Sequence, residues 1–340
     1  MVLYFGNMLS RHGYTKTAIE NLKPKFINLF NISFYSHISN PFLRLLDMIF
    51  SFIIKRKSTR LILIDTYSSK AFYYSFCIGI LSHIFNVPYI PILHGGDLLS
   101  RLKRSPGMFR ILLNNAYLII SPSRYLIDSL QSLDKQIIYI PNFIEINQYP
   151  YRYRKKIKPH LLWVRSFDKI YNPKMAIYVV NELLKKYPTA ILTMVGPEKD
   201  GTQEICKKLS EKLGINKNIN FTGILKREDW ISLSEKSDIF INTTHIDNLP
   251  VSIIEAMALG FPIISTNVGG INYLLKDRQN GLLVDDNDVH GMVERIYNLI
   301  EDQELSSQLS NNARKTSMEY AWNKIEPKWT IKTPNLFLFH

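Results

Sequence analysis

The amino-acid sequence predicts an α/β protein made of two doubly wound parallel sheets facing each other across a cleft. Three observations carry that expectation. The 340 residues are too many for one ordinary core and suit two domains. Short apolar runs alternate with helix-like stretches along nearly the whole chain, as expected for strands joined by helical crossovers. The alternation breaks once, over 144–160, where Tyr, Pro and basic residues replace apolar periodicity. The expected organisation is a domain over 1–143, a linker over 144–160, a second domain over 161–320, and a helix or tail over 321–340 that returns towards the first domain.

In the first half VLYF (2–5), LILID (61–65), PYIPIL (88–93), YLII (117–120) and IIYI (137–140) read as buried strands. Helices are expected near 17–30, 42–55, 70–85, 108–115 and 123–132. In the second half LLWV (161–164), AILTMV (190–195), INF (219–221), IFIN (239–242), PIIST (262–266) and GLLV (281–284) are the strands. Helices are expected near 173–187, 202–213, 226–236, 251–260, 270–276, 287–301 and 303–320. Ligands of such sheets bind at the carboxyl ends of the strands.

Composition narrows the function. The chain is 46% hydrophobic and 21% charged, which is globular. Its two cysteines, Cys77 and Cys206, lie far apart and form no metal or redox spacing, so a reducing compartment is expected. The start, MVLYFGNMLS, has no basic segment leading an apolar one, so no leader peptide is expected. Residues 71–96 lack Lys, Arg, Asp and Glu, but Pro88 and Pro91 would break a membrane span, and a helix followed by a strand fits better. The expected location is cytoplasmic, and the basic first half adds a peripheral place on the inner face of the cytoplasmic membrane as an option.

The net charge of +13 is uneven. Residues 1–150 hold 16 Lys/Arg against 7 Asp/Glu, and 151–160 add five basic residues and no acid. Such a half is drawn to anionic surfaces, with Lys55-Arg56-Lys57 and Arg101-Leu102-Lys103-Arg104 as contact points. The sequence has no RNP, zinc-finger or basic-helix motif, so nucleic acid is the poorer partner. The bland alternative for each run is a solvated basic face.

Chemistry concentrates in a few stretches. In DNLPVSIIEAMALG (247–260) a carboxylate opens the segment and a second, Glu255, sits among apolar residues. A helix starting after Pro250 would place Glu255 near its first turn, where the dipole favours it, and would pack Ile253, Ile254, Met257 and Ala258 behind it. Glu255 is then either a carboxylate serving only its helix or an acceptor for a sugar or ribose diol. STNVGGINYL (265–274) places Gly269 and Gly270 between a strand and a helix, a candidate phosphate seat or a plain turn. Arg165 ends the LLWV strand and could clamp a phosphate bidentately or serve as a surface ion pair; Lys169 and Lys174 follow it. In the first half, FGNMLSRHGYT (5–15) carries Gly6, Asn7 and Gly13, and LHGGD (93–97) carries His94, Gly95, Gly96 and Asp97 at a strand end. Asp286-Asn287-Asp288 reads as a helix cap rather than a metal site, and no metal or cofactor motif is present.

Together these stretches resemble the retaining glycosyltransferases of the GT-B fold, the group that includes bacterial lipopolysaccharide and capsule transferases. The specific part is 247–270: Asp247 and Glu255 eight apart, Ala256-Met257-Ala258, Gly260, Pro262 and Gly269-Gly270. SPSRYL (121–126) and IPNFIE (140–145) match further stretches. The resemblance implies that Glu255 binds the nucleotide ribose and that Asp247 meets the donor sugar. It assigns Asn248, Leu249, Pro250 and Val251 to the donor, through the backbone N–H groups of the segment 248–251, Pro250 itself having none. Arg165 would bind the diphosphate, Gly270 would touch it, and His94 would lie beside the sugar. The Gly6 loop would serve diphosphate and acceptor.

The chain departs from the pattern at three places. Asp247-Asn248 stands where the family usually has Glu-Gly. The family's Lys after the Arg has no clean match, leaving Lys169 and Lys174 as candidates. The first loop lacks the usual Gly-Gly. The implied reaction transfers a sugar from a UDP- or GDP-linked donor to a glycan or lipid-linked hydroxyl, with retention, without metal or cofactor. A GT-B-fold sugar epimerase or phosphorylase, or a non-catalytic scaffold for anionic surfaces, are the competing readings; nucleotide-sugar hydrolysis separates them.

Overall fold

The structure, a computed structural model, describes residues 1–331 apart from Thr15, Gly96 and Asp134. The chain forms two compact units. One comprises Met1–Asn142 with the end of the last helix from Glu326, and the other Phe143–Ile325.

The first unit is a six-stranded parallel sheet. Its strands are β1 (Val2–Phe5), β2 (Ile32–Tyr35), β3 (Leu61–Thr66), β4 (Tyr89–Leu93), β5 (Ile119–Ser121) and β6 (Ile137–Tyr139), in the order β2-β1-β3-β4-β5-β6. Its helices are α1 (Ala18–Leu29), α2 (Pro41–Lys55), α3 (Phe72–Ile84), α4 (Leu98–Arg104), α5 (Pro106–Asn114) and α6 (Arg124–Ser129). Strand β3 is buried at all six positions, consistent with its unbroken apolar run between two partners. Two elements were not legible. Strand β2 is an edge strand, partly exposed throughout and paired only with β1, so its ISFY segment lacks a clear buried pattern. Helix α4 falls where a loop was expected; its seven residues include three cations, which hide the apolar Leu98 and Leu99.

The second unit repeats the plan. Its strands are β7 (His160–Val164), β8 (Ile191–Val195), β9 (Ile219–Gly223), β10 (Ile239–Asn242), β11 (Ile263–Thr266) and β12 (Leu282–Val284), in the order β12-β11-β10-β7-β8-β9, all parallel. Its helices are α7 (Pro173–Leu183), α8 (Thr202–Lys212), α9 (Arg227–Ser234), α10 (Val251–Ala258), α11 (Ile271–Leu274), α12 (Val289–Glu301) and α13 (Gln303–Met318). One apolar cluster packs α7 and α12 on the sheet, and a second packs α10 against it from the other side. Asp288 caps α12 by accepting the Gly291 amide at 2.8 Å, the capping role read from the sequence.

Residues 144–160 are a built part of the second unit rather than a bare linker. Buried Arg154 donates to the Gly260 carbonyl at 2.7 Å and to the Leu259 carbonyl at 3.1 Å, with its guanidinium 3.7 Å over the Phe261 ring. Ile144 forms a parallel bridge with Ala321. The last helix, α14 (Trp322–Ile331), brings Trp329 edge-on to Phe26 at 4.9 Å. Of the expected 321–340 tail, residues 332–340 lie outside the described residues.

Candidate active site

In the second sheet the chain order reverses between β7 and β10, so the loops leaving these two strands part in opposite directions at their carboxyl ends. That is where an open parallel sheet takes its ligand. The loop after β7 opens with Arg165, and the loop after β10 runs through 243–250 into α10.

Arg165 is fixed by its backbone. Its amide donates to the Val195 carbonyl at 3.0 Å, and a Cβ on Gly196 would lie 1.8 Å from the Arg165 oxygen, so only glycine fits beside it. Its guanidinium stands 4.7 Å over the Tyr171 ring and forms an ion pair with the Asp247 carboxylate. Burial lowers the Arg165 pKa, while Tyr171 and Glu255 act the other way.

Hydroxyls pin the facing loop from behind. Trp163 Nε1 donates to Thr243 Oγ1 at 3.0 Å, Thr244 Oγ1 to the Ile170 carbonyl at 3.1 Å, and Thr266 Oγ1 to the Thr244 carbonyl at 2.6 Å. Asp247 is thereby held at the loop's end, where its Oδ1 accepts the Asn248 amide at 2.8 Å. Leu249 is buried, Pro250 precedes α10 without a side-chain cap, and Val251 begins it. The first-turn amides of a helix have no intrahelical acceptor. Buried in that same turn, Ser252 Oγ has no protein partner among the described residues.

Glu255 is the fifth residue of α10, not a first-turn residue, so the helix dipole contributes little to it. Ile253, Ile254, Met257 and Ala258 are fully buried behind it, as expected. What holds the carboxylate is Tyr149, whose hydroxyl donates to Oε1 at 2.5 Å, together with the charges of Arg227 and Arg165. Burial outweighs these and raises the Glu255 carboxyl above its ordinary range. Burial, then the carboxylate, pushes the Tyr149 phenol up as well. Arg165 thus interacts with both acids of the eight-residue spacing.

The Gly269-Gly270 turn has a different basis from the one expected. A Cβ on Gly269 would lie 2.3 Å from the Asp247 oxygen, and one on Gly270 would lie 1.8 Å from the Asn248 oxygen. The Gly270 amide already donates to the Asp247 carbonyl at 2.7 Å, and α11 is a single turn. The glycines let this turn lie flush against 247–248, and the Gly270 amide is not available for a phosphate.

Neither lysine completes the cluster. Lys169 is exposed, with its amide on Asp200 Oδ2 at 3.1 Å, and exposed Lys174 acts on Cys206. The cation that sequence reasoning missed is Arg227, the first residue of α9. It lies 5.9 Å from the Tyr149 ring centre and donates to Gln148 Oε1 at 2.6 Å. Nothing in its local sequence, REDW, distinguishes it from a surface cation.

In the first sheet the order reverses between β1 and β3. His94, just past β4, places Nε2 2.9 Å from Asp65 Oδ1 and stacks on Tyr67 at 5.3 Å. Asp65 is buried and also accepts the Tyr4 hydroxyl at 2.7 Å. Gly6 belongs to this group by necessity, because a Cβ there would lie 2.7 Å from Asp65 Oδ2. Burial, then Asp65, raises the Tyr4 and Tyr67 phenols. Asp65 was missed; its signal was the single acid closing the LILID run.

The remaining residues of this group have other contacts. Asn7 Oδ1 accepts Arg44 Nη1 at 2.7 Å. Gly13 ends a short turn at φ +84°, with open space where a Cβ would be, and Gly95 takes φ +96°. Asp97 pairs with Arg104 at 3.0 Å near the surface. Gly96 lies outside the described residues.

Comparison with known proteins bears on the family and the fold. Residues 152–316 match the family described as Glycosyl transferases group 1. An uncharacterized glycosyltransferase from Haemophilus influenzae is 33% identical over 171 residues, covering 50% of this chain and 46% of the relative. The chain therefore spans about half the length of that curated relative. The uncharacterized glycosyltransferase MJ1178 from Methanocaldococcus jannaschii is 25% identical over 259 residues, 73% of this chain and 69% of the relative. Among solved structures, Anabaena Alr3699/HepE in complex with UDP superposes with a TM-score of 0.77 at 19% identity, covering 98% of this chain and 100% of that one.

Proposed function

From a chain of GT-B fold whose residues 152–316 belong to the glycosyl transferases group 1, we propose an enzyme that moves a sugar from a nucleotide-activated donor to a hydroxyl acceptor with retention of configuration. The observation that supports it most is the convergence of Arg165, Asp247 and Glu255 at the point where the second sheet reverses its strand order. Glu255, aligned by Tyr149, would accept the ribose hydroxyls. Arg165 and the uncapped start of α10, with Ser252 Oγ, would receive the diphosphate.

In the reaction the bond from the anomeric carbon to the diphosphate oxygen breaks. The acceptor oxygen bonds to that carbon on the same face, and its proton passes to the departing diphosphate. Arg165 and Arg227 would offset the charge developing on the leaving group, the preorganised electrostatics that replace a metal in this scheme. On donor binding Asp247 would exchange part of its Arg165 pair for the sugar and offset positive charge near the anomeric carbon. His94, held by Asp65, is the first unit's own candidate for a substrate-facing group. The acceptor class we propose is a growing glycan on a lipid carrier presented at an anionic membrane, supported by the basic surplus of residues 1–150.

A thermal-shift screen against UDP-, GDP- and ADP-sugars tests donor binding, since a ligand that binds only the native state raises Tm. UDP-glucose comes first because Anabaena HepE was solved with it. NMR of the product anomer tests retention, and turnover in EDTA tests metal independence. No stabilisation and no hydrolysis by any nucleotide sugar, with Glu255→Ala unchanged, would sink the proposal.

A further inference from the structure

Helix α2 is built inside out. Its buried residues include Arg44 and Ser51 beside Met48 and Phe52. Arg44 is satisfied inward, donating to the Ile38 and Ser39 carbonyls at 2.6 Å each. The outward face is apolar: Phe42 is 67% exposed, Phe50 66% and Ile54 61%, with Leu43 and Leu46 also in water. At about 100° per residue these five side chains fall within an arc of about 120°, a third of the circumference. Asp47, the only acid of the helix, lies just outside that arc and is partly buried. Surface helices of globular proteins carry charge on this face, and a contiguous apolar patch of this kind marks an interaction site.

The stripe runs into cations. Lys55, Arg56, Lys57 and Arg60 follow its carboxyl-terminal end, and Arg56 sits 4.7 Å over the Phe85 ring, itself exposed. We infer that this face of α2 is a membrane-docking surface that seats in the headgroup region of an anionic bilayer. The helix's 15 residues reach about 22 Å, short of a hydrocarbon core of about 30 Å. It would therefore lie in the membrane plane, apolar arc inward and cations at the lipid phosphates. Among the described residues no helix is long and apolar enough to cross a membrane. A second copy is the poorer occupant, because pairing this face with itself brings two basic surfaces together. The inference rests on one clause of the proposed function, that the acceptor is presented at a membrane, and is independent of the donor chemistry.

Flotation of the purified full chain with phosphatidylcholine vesicles, with and without phosphatidylglycerol, tests it. Binding is expected only with phosphatidylglycerol, weakened by salt. The double change Phe50→Ser, Ile54→Ser should lower partition at least about tenfold, leaving Tm and vesicle-free nucleotide-sugar hydrolysis unchanged. Phe50→Trp should give a blue-shifted emission quenched by brominated lipid, which tests insertion even if the serine variant fails to fold. Unaltered flotation of the serine variant, or no emission shift, overturns the surface and leaves the membrane clause standing. Absence of flotation by the native chain overturns both. A dimer in sedimentation that the serine changes dissociate, without vesicle binding, assigns the face to a second copy. Flotation without hydrolysis keeps the surface and removes the donor chemistry.

Discussion

Substituting alanine at Gly270 tests how the two halves of the second unit's motif are joined. Gly270 has φ −87°, which any residue adopts, so backbone freedom is not its reason for being glycine. The reason is distance. A Cβ would sit 1.8 Å from the Asn248 carbonyl oxygen, whereas ordinary contact begins at 3.4 Å. The shortfall of about 1.6 Å must be met by moving backbone, because the obstruction is a main-chain oxygen rather than a flexible side chain. Overpacking of this kind costs about 2–3 kcal/mol. For a unit of this size that lowers Tm by roughly 4–12 °C. The moving segment carries Asp247 and the start of α10, so catalysis should fall more steeply than stability. A displacement of about 1 Å at a positioning group costs about 100-fold in rate. Calorimetry with nucleotide-sugar turnover reads both quantities. Gly107→Ala is the control: it lies in α5 with nothing near its would-be Cβ, and should be neutral or gain up to about 1 kcal/mol. Native Tm and native turnover in Gly270→Ala would refute the packing argument.

Other consequences follow from the same geometry. Glu255 has its pKa raised in the folded chain above the ordinary 4.5, so the folded state holds that proton more tightly than the unfolded one. Stability from this group is fully present below the unfolded value and is lost as pH rises through the folded one. Glu255→Gln should therefore raise Tm at neutral pH, lose that advantage below about pH 4, and weaken donor binding by titration calorimetry. A lower neutral-pH Tm would contradict the burial argument. Asp65→Asn should cut turnover at least about tenfold by freeing the His94 tautomer, with the imidazole nitrogen resonances shifting in NMR; unchanged resonances would leave Asp65 a purely structural role. Arg165→Lys keeps the charge but loses the fork and the stacking on Tyr171. It should lower kcat/KM about 100-fold, and activity within twofold of native would remove Arg165 from the proposed diphosphate site.

Local patterning determined most of this protein. The alternation of apolar runs with helix formers located eleven of the twelve strands, since a strand buried on both faces must be apolar throughout. The exception, β2, is an edge strand whose half-exposed residues carry no such constraint. Asp247, Glu255 and Arg165 were also legible, because Arg165 closes an apolar run, Glu255 interrupts one, and Asp247 stands eight positions before Glu255. Tertiary structure decided what surrounds them. Around Glu255, Tyr149 came from a stretch that looked like linker and Arg227 from an ordinary polar helix start; within the first unit, Asp65 near the end of β3 became the partner of His94. Each gains its role through a partner distant in the chain, as Tyr149 does across 106 positions from Glu255. The Gly269-Gly270 turn makes the same point. A Gly-Gly pair in sequence says only that the backbone needs room, and the fold alone says that Asp247 and Asn248 fill it.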